Sequence, residues 1–148
     1  MLKIIAFIDG ASRGNPGPAG AGIHLIDAAD GRELLRLAIP LGHTTNNIAE
    51  YRALINALKK AVELKAAQIE VRSDSQLLIR QMRGEYRVKN HAIAKLVIEA
   101  MNLLTKFESY EFVHIPREHN KVADHLASLA AVAAKGEQHE KPDVDSLI

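Results

Sequence analysis

Cysteine is absent from the 148 residues, and so is tryptophan. Without a thiol there is no disulfide framework, no thiolate zinc site and no cysteine nucleophile, and a reducing cytoplasm is the default compartment. Phe, Tyr and Trp make up only 4% of the chain, too little for a surface that stacks successive single-stranded bases. Neither sign of charge is in excess: 19 Lys and Arg face 18 Asp and Glu, for a net charge of +1. A strongly basic tail is thereby excluded, and only local patches are left to select a partner. Long apolar runs are missing too. The N-terminal stretch Leu2 to Ile8 contains Lys3 and stops at Asp9 and Gly10, far short of the roughly 20 residues that span a bilayer. No small-residue cleavage site follows it. What remains, 47% hydrophobic residues in a chain of this length, describes one globular domain. A chain of this size buries about two-thirds of its unfolded surface, enough for a core without a metal or disulfide.

The pattern of what is present gives an order of elements. Ile4 to Ile8 is a short unbroken apolar run, expected as a strand buried on both faces. Gly10 to Gly22 is rich in glycine and proline and reads as turn, with close approach of backbone to a substrate. Ile23 to Ile26 resumes a strand, and Leu35, Leu37 and Ile39 alternate with Arg36 and Ala38 before Pro40, which completes a meander. After a loop over Gly42 to Asn46 the period changes to 3.6: Tyr51, Leu54, Ile55, Leu58, Ala61 and Val62 form one helical stripe. Gln68 to Arg72 is expected as a strand, Asp74 to Arg83 as a helix stopping at Gly84, and Ile93 to Leu104 as a further amphipathic helix. Tyr110 to Ile115 gives the last strand, and Asn120 is placed to cap a final helix carrying Val122, Ala123, Leu126, Ala127 and Ala130. The order is βββαβααβα, an α/β domain over residues 1–134. The polar stretch 135–148 has no periodicity and is expected as a mobile tail.

Four acids fall where such a domain brings element ends together. Asp9 ends the first strand, Asp74 follows the fourth, Glu50 lies in the first turn of the long helix, and Asp124 in the first turn of the last. Each has a local explanation. Asp9 suits a turn, Glu50 completes a capping box with Asn47, Asp74 suits an N-cap, and Asp124 complements a helix dipole. Jointly they are harder to dismiss, because Glu50 shares the helical face of Leu54, Leu58 and Ala61, which is expected to be buried. Like charges crowded there repel unless a cation neutralises them. All-oxygen ligation suits a hard cation, Mg²⁺ or Mn²⁺, and not zinc. Two such ions roughly 4 Å apart can activate water and stabilise the leaving oxygen of a phosphodiester.

Other chemistries lack their residues. The glycine-rich stretch has no Gly-Lys-Ser/Thr and no Gly-x-Gly-x-x-Gly, there is no Gly-x-Ser-x-Gly elbow, and no His-Glu-x-x-His pair occurs among the seven histidines. His24, His43, His91 and His139 read as surface or edge residues. His119 differs only in lying just before Asp124.

The segments Ile8 to Gly20, Thr44-Thr45-Asn46-Asn47-Ile48-Ala49-Glu50, Ser73-Asp74-Ser75-Gln76 and Arg117 to Ala127 together resemble type 1 ribonuclease H. The likeness spans residues 4–130, and its four signatures occur in the family's order. It implies the RNase H-like fold, a five-stranded mixed sheet flanked by helices, with Asp9, Glu50, Asp74 and Asp124 as catalytic, metal-binding carboxylates. It implies hydrolysis of the RNA strand of an RNA·DNA hybrid with Mg²⁺ or Mn²⁺, two ions when substrate is bound, by a monomer in the cytoplasm with no membrane and no obligatory protein partner. Asn15, Asn46, Asn47 and Gln76 would face the hybrid's minor groove, where amides bond 2′-hydroxyls and base edges. Thr45 and Asn90 resemble the pair that holds a phosphate of the DNA strand.

Two departures from the family stand out. Many members carry a basic, Trp-rich insertion after the second helix, whereas only Gly84 to Asn90 separates two helices here. Binding then falls to a smaller patch of Arg80, Arg83, Arg87 and Lys89, whose alternative is an ordinary solvated face. The family's turnover histidine would be replaced by Arg117, Glu118 or His119. Three competing activities share the fold or the metal chemistry: strand transfer, as in integrases and transposases; an inactive hybrid-binding module; and a metal phosphatase acting on a small molecule. The first wants flanking DNA-binding segments, and four intact carboxylates argue against the second.

Overall fold

The computed structural model describes residues 1–147, with side chains as far as residue 136. The stretch expected as a tail over 135–148 instead continues the last helix as far as Leu147, with its side chains beyond residue 136, and residue 148, outside the described ones. Three strands come first, β1 (Lys3–Ser12), β2 (Gly17–Asp27) and β3 (Glu33–Thr44), followed by α1 (Asn46–Glu63), β4 (Gln68–Ser73), α2 (Gln76–Met82) and α3 (His91–Leu104). β5 (Ser109–His114), a one-turn 3-10 segment (Arg117–His119) and α4 (Lys121–Leu147) complete the order expected from the periodicities.

The strands form a single mixed sheet in the order β3-β2-β1-β4-β5. β1, β2 and β3 pair antiparallel, while β4 joins β1, and β5 joins β4, in parallel. The register sets Ile8 opposite Ser73. Asp9 and Asp74, each one residue further on, therefore lie side by side where the parallel pairing of β1 and β4 stops, although β1 does not end at Asp9 as expected but runs on to Ser12 along β2. Crevices in open α/β sheets form at the carboxyl ends of parallel strands.

Helical periodicity and strand alternation meet in one core. α1 presents Tyr51, Leu54, Ile55, Leu58 and Ala61 to Ile4, Ala6 and Ile8 of β1, Ile23 and Leu25 of β2, and Ile69 and Val71 of β4, all buried. Each such large apolar side chain contributes about 1.5–3 kcal/mol on burial. α4 lies chiefly over β2 and β3 on the other face, where Ala123, Ala127, Ala130 and Ala131 are buried. Because α4 leaves part of that face open, Ile5 and Phe7 are only half-buried. The apolar run Ile4 to Ile8 is thus an alternating strand and not one buried on both sides.

The glycine-rich segment is also not one long turn. Most of it is the end of β1 and the start of β2, with only the stretch from Arg13 to Pro16 between them. Its glycines serve packing: a Cβ on Gly10 would overlap the α1 backbone at Ala49 and Glu50, and one on Gly22 would overlap the α4 backbone at Ala123. Both helices lie directly on the sheet. β3 likewise runs past Pro40 to Thr44, which an edge strand tolerates because its outer N–H groups have no neighbour to bond.

Candidate active site

Asp9, Glu50, Asp74 and Asp124 line one groove of about 570 Å³, together with Gly10, Ser12, Asn46, His114, Arg117 and Glu118. Four different elements supply the acids, so the groove exists only in the folded chain. Asp9 comes from β1, and Asp74 from the two-residue link between β4 and α2. Glu50 lies in the second turn of α1, four residues after Asn46, and Asp124 in the first turn of α4.

The local folding of these segments differs from the capping roles read off the sequence. Thr45, not Asn47, caps α1: its Oγ1 accepts from the Ile48 N–H at 3.2 Å. Glu50 is therefore free of a capping box, and Asn46 instead donates Nδ2 to Glu50 Oε1 at 2.7 Å. Ser75, not Asp74, caps α2, accepting from the Leu78 N–H at 3.2 Å. Ser75 also lies near enough to Glu50 to favour its charged form. Asn120 does not cap α4 with its side chain; its Nδ2 donates to the Ile8 carbonyl at 2.8 Å.

Burial and crowding dominate the electrostatics. Removal from water, followed by the charge of Asp74 and contact with Asp124, pushes the Asp9 carboxyl up to about 8. Glu50 is pushed up to about 7, again chiefly by burial, with the nearby Ser75 pulling the other way. Asp74 is raised by burial and by Asp124, against Arg117 and Asn120, which hold it down. Arg117 approaches Asp124 at 3.6 Å while remaining largely exposed.

This donor set fits a hard divalent cation. Glu50 Oε2 is buried without a hydrogen-bond partner among the described residues, an acceptor with capacity to spare. Around it are oxygens whose ionised forms repel. Among the described residues no three His, Asp or Glu side chains already converge as a ligand cluster, so the carboxylates surround an open space and not a closed cage.

The remaining residues singled out from the sequence lie around this groove or away from it. Asn15 and Asn46 meet at the rim, where Asn15 Oδ1 accepts from the Asn46 N–H at 3.1 Å. Asn47 is half-buried at the start of α1, and Gln76 is exposed at the start of α2. With its amide oxygen turned toward Arg80, Gln76 accepts from that guanidinium at 3.0 and 3.2 Å. Asn90 caps α3 through Ile93 at 3.1 Å. Arg83 is held by the protein itself, donating Nε and Nη2 to the Phe112 carbonyl at 3.0 and 2.6 Å. Arg87 and Lys89 are exposed in the link to α3.

His119 is not in the carboxylate groove. Successive residues of a 3-10 turn point about 120° apart, so Arg117 faces the acids while His119 lines a second pocket with Phe7, His24 and Lys121. Of the three candidates in this turn, Arg117 and Glu118 line the carboxylate groove. Ser75 and Asn120 were read only as local residues. A serine beside Asp74 and an asparagine four residues before Asp124 were the sole signals available.

Comparison with known proteins agrees with this geometry. The model of a family described as reverse transcriptase-like matches residues 7–130. The bifunctional protein Rv2228c of Mycobacterium tuberculosis is 41% identical over 133 residues, 90% of this chain and 36% of that protein. The solved N-terminal RNase H domain of Rv2228c superposes with a TM-score of 0.89 at 39% identity, over 93% of this chain and 99% of that one. Ribonuclease HI of Halobacterium salinarum is 41% identical over 128 residues, 86% of this chain and 64% of the relative. LC11-RNase H1, a compost metagenome protein solved in complex with an RNA/DNA hybrid, gives a TM-score of 0.82 at 39% identity, over 88% of this chain and 98% of that one. The chain spans about a third of the length of the mycobacterial relative it matches. With the fold, the order of its elements and the sequence all in accord, the chain belongs to the type 1 ribonuclease H family.

Proposed function

We propose that this chain is an endoribonuclease that hydrolyses the RNA strand of RNA·DNA hybrids. The observation that carries the reading is one groove in which four carboxylates from four elements meet, with amide side chains at its rim. Named relatives support it: two are ribonucleases H, and LC11-RNase H1 holds an RNA/DNA hybrid.

Asp9, Glu50, Asp74 and Asp124 would hold Mg²⁺ or Mn²⁺, two ions with substrate bound. Bound there, the metal supplies activation of water and stabilisation of charge at the phosphodiester. The protein's own part is to bring the acids together and keep them ionisable. Asn46 holds Glu50 by a hydrogen bond, and it and the nearby Ser75 favour the charged form. Arg117 places a cation within the groove beside Asp124, where it can offset charge on a phosphate or on the acids.

Asn15, Asn46, Asn47 and Gln76 would contact 2′-hydroxyls and base edges in the hybrid's minor groove. Thr45 and Asn90 stand at the starts of α1 and α3, where helix N–H groups favour a phosphate. Arg87 and Lys89 would add a small basic grip. The chain would act as a monomer in the cytoplasm. Among the described residues no helix is long and apolar enough to cross a membrane.

Incubating the purified chain with labelled hybrid, duplex DNA and duplex RNA, with and without Mg²⁺, tests the activity. Cleavage confined to the RNA of the hybrid is expected. Cleavage of duplex DNA alone would favour strand transfer chemistry, and binding without cleavage an inactive module.

A further inference from the structure

We propose that Asn120 is a positioning residue that fixes Asp9 and Asp124 relative to one another. The inference rests on the reading of the groove as the catalytic centre. Asn120 is 1% exposed, one of three buried polar or charged residues among those described. Its Nδ2 donates to the Ile8 carbonyl at 2.8 Å, across 112 positions of sequence, and Ile8 immediately precedes Asp9. The same side chain lies beside Asp74 and helps hold its carboxyl down. Its backbone carbonyl accepts from the Asp124 N–H at 3.0 Å. One residue thus bonds both to β1 just before Asp9 and to the first turn of α4 at Asp124.

A plain structural role is the competing account, in which a buried asparagine merely starts the last helix. The hydrogen bonds point away from it. A capping asparagine turns its side-chain oxygen to the helix N–H groups, whereas here Oδ1 is buried and without a partner. The donor, not the acceptor, is in use, and it leads to the residue before Asp9. An unsatisfied buried acceptor is a cost that an apolar side chain would avoid. The amide is retained at a site where its N–H ties the start of α4 to β1. Groups that orient metal ligands in this way commonly change metal affinity when removed, though they touch neither metal nor substrate.

The test compares the full chain with Asn120→Ala, Asn120→Asp and Tyr51→Phe. The last removes another interior hydrogen bond, from Tyr51 Oη to Gln81 at 2.8 Å, without contacting Asp9, Asp74 or Asp124. Two quantities are read for each: the rise in melting temperature on adding Mg²⁺, and the Mg²⁺ concentration for half-maximal hybrid cleavage beside KM for the hybrid. In both Asn120 variants the Mg²⁺-induced rise should shrink, and the Mg²⁺ midpoint should increase roughly 10- to 100-fold with KM nearly unchanged. Tyr51→Phe should lose stability yet keep the wild-type rise and midpoint. If Asn120→Ala does not fold, Asn120→Ser, which keeps a donor, takes its place. Folded Asn120 variants with the wild-type midpoint and metal-induced rise would overturn the proposal, as would equal shifts in Tyr51→Phe. A wild-type chain showing neither cleavage nor a metal-induced rise would overturn the reading of the groove, and the proposal with it.

Discussion

Asn46 donates its side-chain amide to Glu50 at 2.7 Å, while its own backbone N–H is held by Asn15 at 3.1 Å. A residue expected to meet the RNA is therefore already bonded to a residue expected to meet the metal. Substrate recognition and carboxylate placement share one side chain. Asn46→Ala should accordingly lower the single-turnover rate at saturating enzyme as well as raise KM, each by about 10- to 100-fold, since small misplacements of reacting groups have effects of that size. A change confined to KM would show that the Glu50 contact has no catalytic consequence.

Removal of one acid separates chemistry from folding. Asp9→Asn keeps the volume but deletes a charge from a crowded, buried site. Hybrid cleavage should fall by orders of magnitude, while the metal-free protein melts at a higher temperature than wild type. Calorimetry without metal and a cleavage assay with Mg²⁺ check the two halves. Retained cleavage would remove Asp9 from the site.

The raised carboxyls also set a pH dependence. Asp9 at about 8 and Glu50 at about 7 bind protons more tightly in the folded chain than in the unfolded one, where such groups titrate near 4. Their stabilising contribution is therefore full below the unfolded values and is lost as pH rises from about 4 through 8. In chelator, urea stability should decline across that window. Saturating Mg²⁺ binds the ionised form of the native state and should flatten the decline. A stability that rises from pH 5 to 8 in chelator would contradict the crowding.

At the end of α1 the chain makes a Schellman turn, with the Ala66 N–H bonded to the Ala61 carbonyl at 3.1 Å and the Lys65 N–H to that of Val62 at 2.9 Å. Lys65 sits there at φ 60°, a left-handed conformation that favours glycine. Lys65→Gly should stabilise the fold by about 1 kcal/mol, or raise Tm by roughly 2–4 °C for a domain of this size. Thermal melts at matched ionic strength decide it.

Arg83, Arg87 and Lys89 formed one basic patch in the sequence, and the structure divides them. Arg83→Ala breaks two bonds to the edge strand β5 and should cost stability. Arg87→Ala and Lys89→Ala should leave Tm unchanged and raise KM, each flattening the salt dependence of log affinity by about 0.9 or less. Steady-state kinetics at several salt concentrations distinguish these outcomes. If neither exposed residue affects KM, the hybrid is held elsewhere.

The order of elements was legible because periods of two and 3.6 are written in Leu35 to Ile39 and in Tyr51 to Val62. The glycine-rich segment was misread because composition reports turn propensity but not what packs against a strand. Only the fold shows that α1 and α4 need the missing side chains at Gly10 and Gly22. Individual carboxylates were equally ambiguous, since Asp and Glu at helix starts usually serve as caps. Thr45 and Ser75 turned out to carry that duty, leaving Glu50 and Asp74 facing the groove. His119 could not be sorted from Arg117 in advance, because direction within a single 3-10 turn leaves no periodic trace.

Gly22 pairs with Asp9 across β1 and β2, and its missing Cβ is what admits Ala123, the neighbour of Asp124. A position with no functional group thereby acts as a ruler between two acids on opposite elements. Enlarging it to alanine would wedge α4 outward and carry Asp124 with it, so a screen for loss of hybrid cleavage should return this glycine among the acidic positions. Catalytic spacing in this chain is encoded partly in hydrogen atoms, at a residue that no inventory of reactive side chains would include.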